Sequence, residues 1–246
     1  MTFPRQFLRV ETLVGENGLA AFRKAHVVIV GYGAVGSACT AALVRSGIGH
    51  VRIIDADVYD VSNINRQFGA SHRTIGHSKV DVGKAELLDL VPDLDIETVQ
   101  RFIREGEMED VFAAFADGVA PQLVVDAIDS VDAKTALLSA CVQNGTRVYS
   151  SMGAARKRHP EMIRFDDISK TSVCPLAREI RRRLRLADIH EGVACVFSVE
   201  DAAKPTKPSP DKRPVLGSLM TVTAAFGLRL ASEILNDILE SRVVCD

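Results

Sequence analysis

Residues 27–36, VVIVGYGAVG, decide the fold of this chain. The β-branched run VVIV predicts a buried strand, and Gly31, Gly33 and Gly36 form a G-x-G-x-x-G turn between that strand and a helix. In such a turn the first glycine permits the tight bend, the second lets a phosphate approach the backbone, and the helix N-terminus supplies unpaired N–H groups. The stretch therefore predicts a nucleotide site where the strand meets the helix.

Strand and helix patterns alternate on both sides of this turn. A helix over residues 36–46 ends at Gly47, and HVRIID supplies the next strand, which completes a βαβ unit. Strand patterns follow in DIETVQ (95–100), QLVVDAID (122–129) and RVYSSM (147–152), with helices over 78–91, where Ser78 is the expected cap, and 131–144. This order predicts an α/β fold of the Rossmann-like, doubly wound type, with a mainly parallel sheet and helices on both faces.

The last third of the chain changes character. EMIRFDDI and VACVFSVE are strand patterns around a helix at about 175–187, the proline-rich stretch 201–214 is typical of a mobile loop, and a final helix is expected at about 217–239. We expect a single domain over 1–246, in which a nucleotide-binding core at about 20–150 is followed by an α+β extension at about 151–246 that binds substrate.

Composition describes an ordinary globular protein. The 246 residues are 47% hydrophobic and 25% charged with a net charge of −2, so any contact with nucleic acid must come from a local patch. The five cysteines are scattered without a CxxC pair, and no His/Cys cluster has metal-ligand spacing. Reduced thiols, with no signal-peptide or membrane-spanning pattern, predict a cytoplasmic protein.

Asp55 and the loop after it indicate which nucleotide is bound. Asp55 lies 24 residues after Gly31 at a strand end, where a carboxylate accepts hydrogen bonds from ribose hydroxyls, but this motif fits NAD, FAD and ATP alike. Arg66 and Lys79 follow. Hydride transfer releases no pyrophosphate, whereas adenylation releases one whose growing negative charge must be stabilised. Arg66 and Lys79 suit that role, and the alternative is that both are solvated surface charges. Either Asp126 or Asp129, at the end of another strand, could hold magnesium.

The motifs GYGAVG, IIDAD, SNINRQ, GHSKV and DAIDS together resemble the adenylating core of the E1-like superfamily, which includes activators of sulfur-carrier proteins. The resemblance implies that Gly33, Ala34 and Asp55 hold adenosine, that Asn63, Arg66 and Lys79 hold the phosphates, and that Asp129 binds Mg²⁺. The ATP site expected from motif and resemblance comprises Gly31, Gly33, Ala34, Gly36, Asp55, Asn63, Arg66, Gln67, Lys79 and Asp129, with Arg66, Lys79 and Asp129 as the catalytic residues.

Across nearly the entire chain, GENGLAAF, PLAREIRRRL, GVACVFSVE and TVTAAFGL resemble the bacterial tRNA threonylcarbamoyladenosine dehydratases. That family implies ATP-dependent cyclisation of the threonylcarbamoyl group on adenosine 37 of tRNA, and superfamily resemblance implies a homodimer. The chain has Cys174 where the family tends to have an aspartate, and Arg5 and Arg9 match its N-terminal arginine pattern only loosely. Activation of a ubiquitin-like sulfur carrier and a non-catalytic ATP-binding module remain alternatives, and a sulfur-transfer partner remains open.

Basic residues in the second half form a candidate tRNA surface. Arg178, Arg181, Arg182 and Arg185 recur at helical spacing on one face, and ARKRH (155–159) with Lys204, Lys207, Lys212 and Arg213 adds charge. A solvated helix face is the alternative. Cys195 alternates with apolar residues as a buried strand cysteine does, and its alternative interpretation is a reactive thiol.

Overall fold

The computed structural model describes residues 3–203 and 216–243, which form one seven-stranded sheet flanked by helices. The strand order is β3-β2-β1-β4-β5-β7-β6, and every pair is parallel except β6 with β7. The strands are β1 (His26–Val30), β2 (His50–Ile54), β3 (Asp95–Val99), β4 (Leu123–Asp126), β5 (Arg147–Ser151), β6 (Ile163–Asp167) and β7 (Ala194–Ser198). The predicted α/β class is confirmed.

Alternate residues of the strands enter two separate cores, which places helices on both faces. Val27 and Ile29 pack in the core that α1, α2, α3 and α7 cover, whereas Val28 and Val30 belong to the core under α4, α5 and α6. The helices are α1 (Leu8–Lys24), α2 (Ala34–Arg45), α3 (Lys79–Leu90), α4 (Glu109–Phe112), α5 (Val131–Gln143), α6 (Pro175–Leu186) and α7 (Met220–Val243). No helix in the described part of the chain is long and apolar enough to cross a membrane.

The helix boundaries differ from the sequence prediction mainly at the two ends of the chain. α1 was not predicted, because Gly15 interrupts its helical pattern; in the structure Gly15 has a φ of 76° and the helix is kinked there. The final helix begins at Met220, three residues after the predicted start, and continues to Val243. In the middle, Ser78 caps α3 as expected, since its Oγ accepts a hydrogen bond from Asp81 N at 3.4 Å.

The C-terminal extension continues the sheet of the nucleotide-binding core. β7 pairs with β5 in parallel, and β6 returns antiparallel along the edge of β7. Four of the predicted basic residues, Lys204, Lys207, Lys212 and Arg213, lie outside the described residues, as does most of the predicted 201–214 loop. The strand order reverses between β1 and β4, and the carboxyl ends of these strands form the crevice in which open α/β sheets bind ligands.

Candidate functional site

The glycine turn joins β1 to α2, and its glycines differ in how much space surrounds them. A Cβ added to Gly36 would lie 1.9 Å from the carbonyl oxygen of Gly31, whereas one added to Gly33 would meet nothing closer than Gln67 Nε2 at 3.9 Å. Gly36 is therefore required for packing of the helix against the turn. Gly33, the N-cap residue of α2, leaves open space for a ligand beside the helix N-terminus.

Asp55 stands directly beside this turn, because β2 pairs with β1 in parallel. Its Oδ2 accepts a hydrogen bond from Tyr32 N at 2.6 Å and its Oδ1 one from Asp57 N at 2.8 Å. Burial raises the pKa of the Asp55 carboxyl, while Lys79 and the two backbone N–H groups oppose that shift. The carboxylate is held in one orientation, with acceptor capacity left for ribose hydroxyls.

The segment after β2 is a short 3-10 turn that positions Asn63, Arg66 and Gln67. Asp60 and Asn63 form a reciprocal capping box around this turn. Arg66 Nη1 donates to Ser62 O at 2.8 Å and to Asn65 Oδ1 at 2.9 Å, which leaves the other guanidinium N–H groups for a ligand. Gln67 is buried, and among the described side chains its Oε1 has no hydrogen-bond partner.

Lys79, the first residue of α3, is buried although it is charged. Its ammonium pairs with Asp57 at 2.7 Å, and Asp57 itself is half exposed. A lysine ammonium has three N–H donors, so this ion pair leaves donors for a phosphate. The side chain is thus held at the site by a partner that solvent or a ligand can reach.

The two aspartates that follow β4 differ completely in environment. Asp126 is fully buried: its Oδ2 accepts from Lys134 Nζ and from Ser150 Oγ, both at 2.5 Å, and its Oδ1 accepts from Ile128 N at 3.1 Å. The suggestion that Asp126 could hold magnesium is wrong for this arrangement, because its oxygens are occupied by protein donors. Asp129 is exposed, and of the two aspartates it is the one that can bind a ligand.

A cavity of about 1040 Å³ gathers these residues at the carboxyl ends of β1, β2 and β4. Nine of the ten predicted ATP-site residues line it, and Gly36 is the exception. The sequence interpretation missed Arg101, Phe102 and Arg104, which follow β3 and also line this cavity. Ligands bind open α/β sheets at the carboxyl ends of the strands, and this rule, which located Asp55 and Asp129, would also have found these three residues, because β3 lies beside β2.

Cys174 also lines the cavity, at the N-cap of α6. It is buried, and a Cβ built on Gly153 would lie 3.6 Å from its Sγ. Cys195 lies elsewhere, fully enclosed on β7 between Ser150 and Asp166 of the neighbouring strands. Burial raises the pKa of the Cys195 thiol, so both enclosure and protonation oppose reactivity in this state.

The predicted arginine face of α6 separates into two groups. Arg181 donates to the carbonyl oxygens of Ile168 and Thr171 and to the Thr171 hydroxyl, and Arg182 pairs with Glu179. Arg178 and Arg185 are exposed and form no ion pair with the described residues. None of the four lines the cavity. Two guanidinium groups on this helix are therefore available to a partner.

A glycine turn at a helix N-terminus, an acidic strand end, and the cations Arg66 and Lys79 around one crevice define a nucleotide-binding protein of the adenylating type. The ThiF family model matches residues 5–243, and the chain belongs to the ThiF family. It is 37% identical over 195 aligned residues to the tRNA threonylcarbamoyladenosine dehydratase of Bacillus subtilis, and the alignment covers 79% of this chain and 75% of that protein. The resemblance predicted from the sequence is confirmed.

Solved structures agree with this assignment over nearly the whole chain. The Escherichia coli tRNA N6-threonylcarbamoyladenosine dehydratase in complex with AMP superposes with a TM-score of 0.88 at 31% identity, covering 97% of this chain and 96% of that one. Its complex with ATP gives a TM-score of 0.87 at 32% identity with the same coverage. Such coverage includes the C-terminal extension as well as the nucleotide-binding core.

Proposed function

We propose that this protein is an ATP-dependent tRNA-modifying enzyme that adenylates the carboxylate of N6-threonylcarbamoyladenosine and promotes its dehydration to the cyclic form. The observation that carries the proposal is the gathering of the glycine turn, Asp55, Arg66, Lys79 and Asp129 around one cavity. Similarity to a dehydratase solved with ATP and with AMP supports this reaction, because AMP is the nucleotide product of adenylation.

The cavity residues suit the two ends of ATP. Asp55 would accept hydrogen bonds from the ribose hydroxyls, and the N-terminus of α2 beside Gly33 would receive a phosphate. Arg66 and Lys79 would contact the β- and γ-phosphates. Gln67 offers a buried acceptor that has no hydrogen-bond partner among the described residues, and a ligand N–H or O–H that satisfies it would remove a cost of about 1–3 kcal/mol.

Adenylation explains why the site needs cations. A carboxylate oxygen of the threonyl group attacks the α-phosphorus, the bond to the β-phosphate oxygen breaks, and negative charge grows on the departing pyrophosphate. Arg66 and Lys79 stabilise that charge in the transition state more than in the ground state, which is what accelerates the step. The ureido group then attacks the activated acyl carbon intramolecularly. AMP leaves with the carboxylate oxygen, so the nucleoside loses one water.

Asp129 fits a role in binding Mg²⁺. Magnesium prefers oxygen ligands and is commonly held by one or two carboxylates together with substrate phosphates, and Asp129 is an exposed carboxylate on the cavity wall. Bound there, the ion would neutralise part of the pyrophosphate charge. Asp126 orients the loop that carries Asp129, through its hydrogen bond from Ile128 N.

The exposed arginines of α6 would contact the tRNA backbone. Arg178 and Arg185 are the two members of the predicted set whose guanidinium groups form neither an ion pair nor a hydrogen bond with described residues, and such groups suit phosphate oxygens. Homodimer formation and a sulfur-transfer partner are further proposals carried by the superfamily resemblance. Light scattering on the purified protein tests the first, since a mass of one chain would contradict it.

The decisive experiment incubates the protein with ATP and tRNA that carries threonylcarbamoyladenosine. Mass spectrometry should show loss of one water from that nucleoside, with AMP as the nucleotide product. When the threonyl carboxylate is labelled with ¹⁸O, the label should appear in AMP, because the departing oxygen came from the substrate. Formation of ADP, or AMP without label, would contradict adenylation of the carboxylate.

Two variants test the assigned residues. Arg66→Ala and Asp129→Ala should abolish turnover while the fold stays intact, because Asp129 is exposed and Arg66 is half-buried at the cavity, outside the hydrophobic cores. Arg73→Ala and Asp89→Ala are matched controls, since both residues are exposed and lie outside the cavity lining. Full activity in both site variants would refute these roles.

The same reagents separate the alternatives. An activator of a sulfur carrier should catalyse ATP–pyrophosphate exchange only with a small protein that ends in diglycine. A non-catalytic module should bind ATP without forming an adenylate on any substrate. Exchange that depends on the modified tRNA is expected only from the proposed enzyme.

A further inference from the structure

A row of metal-binding side chains lies at the edge of the sheet opposite the nucleotide cavity. His26 begins β1, His50 begins β2 and Asp95 begins β3, and the strand register aligns His26 with His50 and His50 with Asp95. Asp117 reaches the same place from the segment before β4. Four separate chain segments thus bring imidazole or carboxylate groups to one point.

The ligand atoms are close together. His26 Nε2 lies 2.8 Å from Asp117 Oδ2, and His50 Nδ1 lies 2.9 Å from Asp95 Oδ2 and 3.9 Å from Asp117 Oδ2. Atoms of His26, His50 and Asp117 all lie within 4.8 Å of one another. The two imidazole rings stack with centroids 3.9 Å apart.

The hydrogen bonds of His26 place two hydrogen-bond acceptors, its own Nε2 and the Asp117 carboxylate, opposite each other. Its Nδ1 is 2.9 Å from the carbonyl oxygen of Lys24, which can only accept, so Nδ1 carries a hydrogen. In the neutral ring Nε2 is then an acceptor, yet it faces the carboxylate of Asp117, which is also an acceptor. Either a second proton or a metal ion must lie between Nε2 and that carboxylate.

We propose that His26 Nε2, His50 Nδ1 and the carboxylates of Asp95 and Asp117 bind a divalent transition-metal ion of the Zn²⁺ class. Two imidazoles with two carboxylates form a tetrahedral N/O donor set that suits this ion. With metal–ligand distances of about 2.0–2.1 Å, tetrahedral ligands lie about 3.3 Å apart. The observed separations of 2.8, 2.9 and 3.9 Å bracket that spacing. Asp95 contacts only His50 in this cluster, and the two imidazole planes are stacked at 13°. Binding therefore requires the rings to rotate until both nitrogens face the ion, and Asp95 to move closer to it.

The surroundings orient these ligands as a metal site requires. A ligating histidine usually donates its other N–H to a carbonyl or carboxylate, and His26 does so to Lys24. Asp117 Oδ1 accepts from Val119 N at 3.0 Å, which turns Oδ2 toward the imidazoles.

The segment that carries Asp117 is anchored independently of the proposed ion. Arg52 donates to the carbonyl oxygens of Ala113 and Ala114 at 2.7 and 2.9 Å and stacks over Phe115. His50 and Asp117 are partly exposed, which gives the ion a path from solvent. A bound ion would join the starts of three strands to this segment, so we expect it to stabilise the fold without taking part in catalysis.

The test uses the whole chain, stripped of metal with EDTA and free of nucleotide, and titrates it with Zn²⁺ alone in a calorimeter. We expect one equivalent of Zn²⁺ to bind and to raise the unfolding temperature. Co²⁺ as a second probe should give the visible absorption of a four-coordinate ion. His50→Gln and Asp117→Asn should each weaken binding by more than the roughly 10–100-fold that loss of an outer partner costs.

His159→Gln is the matched control, because His159 forms an exposed pair with Glu161 and lies outside the cluster. It should bind Zn²⁺ as the unaltered chain does. Circular dichroism checks that the variants fold, and both altered side chains are partly exposed. Absence of saturable binding, or binding that survives both cluster variants, would overturn the proposal. So would ¹⁵N spectra that show both His26 nitrogens protonated and unchanged by Zn²⁺, since the ring would then be an imidazolium paired with Asp117.

Discussion

Asp126→Asn should sharply destabilise the fold, because it removes the counter-charge of a buried lysine. Lys134 and Asp126 are both fully buried and paired at 2.5 Å. Lys134 Nζ also donates to Ser151 O at 3.0 Å, and Ser150 Oγ donates to the same carboxylate oxygen. An asparagine has nearly the same shape but presents no charge, and an amide N–H₂ on that side would face two other donors.

The magnitude follows from the burial of the pair. Breaking a buried ion pair by removing one partner costs about 3–5 kcal/mol, against a total stability of about 5–15 kcal/mol. For a domain of this size each kcal/mol lowers the unfolding temperature by about 2–4 °C, so we expect a drop of about 6–20 °C. Urea unfolding followed by circular dichroism at neutral pH, without nucleotide, measures the free energy directly.

A double variant separates the charge from the shape. Lys134→Met combined with Asp126→Asn removes the ammonium that Asp126→Asn leaves uncompensated, so the double variant should be more stable than Asp126→Asn alone. If Asp126→Asn changes the free energy of unfolding by less than about 1 kcal/mol, or the second substitution only adds to the loss, the pair does not hold this part of the fold.

Three further predictions concern the cavity and α6. Gly36→Ala should unfold the turn, because its Cβ would meet a carbonyl oxygen at 1.9 Å, whereas Gly33→Ala should fold normally and weaken ATP binding; equal unfolding temperatures for the two would contradict the packing argument. An unperturbed aspartate has a pKa of about 3.9, and the pKa of Asp55 is raised above that. As the pH is lowered, ATP affinity measured by calorimetry should therefore begin to fall at a higher pH than it would if the Asp55 pKa were unperturbed. Without nucleotide the same group should make the fold more stable as pH falls, because the folded state binds the proton more tightly; Asp55→Asn should abolish both effects. Arg178→Ala with Arg185→Ala should weaken tRNA binding and lower its salt dependence by about one unit of slope per lost phosphate contact, while exposed Arg73→Ala leaves binding unchanged.

The strands and the glycine turn could be predicted because local signals dominate there. Continuous runs of buried apolar residues mark β1 and β4, and Gly36 is required by a contact within the turn itself, with the carbonyl oxygen of Gly31. α1 was missed because Gly15 interrupts the helical pattern, and its apolar face is defined only by packing with residues such as Phe226 near the other end of the chain. Local propensity cannot show such a long-range partner.

Environment also could not be read from residue type. Asp126 and Asp129 stand three positions apart at the end of one strand, and their residue type and position do not distinguish them; only the family resemblance singled out Asp129. What separates them is Lys134, which comes from the next helix and enters the core to pair with Asp126. In the same way, the spacing of His26, His50 and Asp117 hides their proximity, because it depends on which strands become neighbours and in which register.

The glycine turn and the loop after β4 form one mechanical unit, although about a hundred residues separate them. A Cβ added to Gly31 would lie 2.7 Å from the carbonyl oxygen of Ala127, so the turn packs backbone against backbone on the loop between Asp126 and Asp129. The buried ion pair of Asp126 and Lys134 holds the start of that loop in the core, and Ile128 N in the loop donates a hydrogen bond to Asp126. A ligand phosphate at the helix N-terminus and a cation at Asp129 would therefore be positioned by the same contact. Destabilising the buried pair should then weaken nucleotide binding even though neither of its members reaches the cavity.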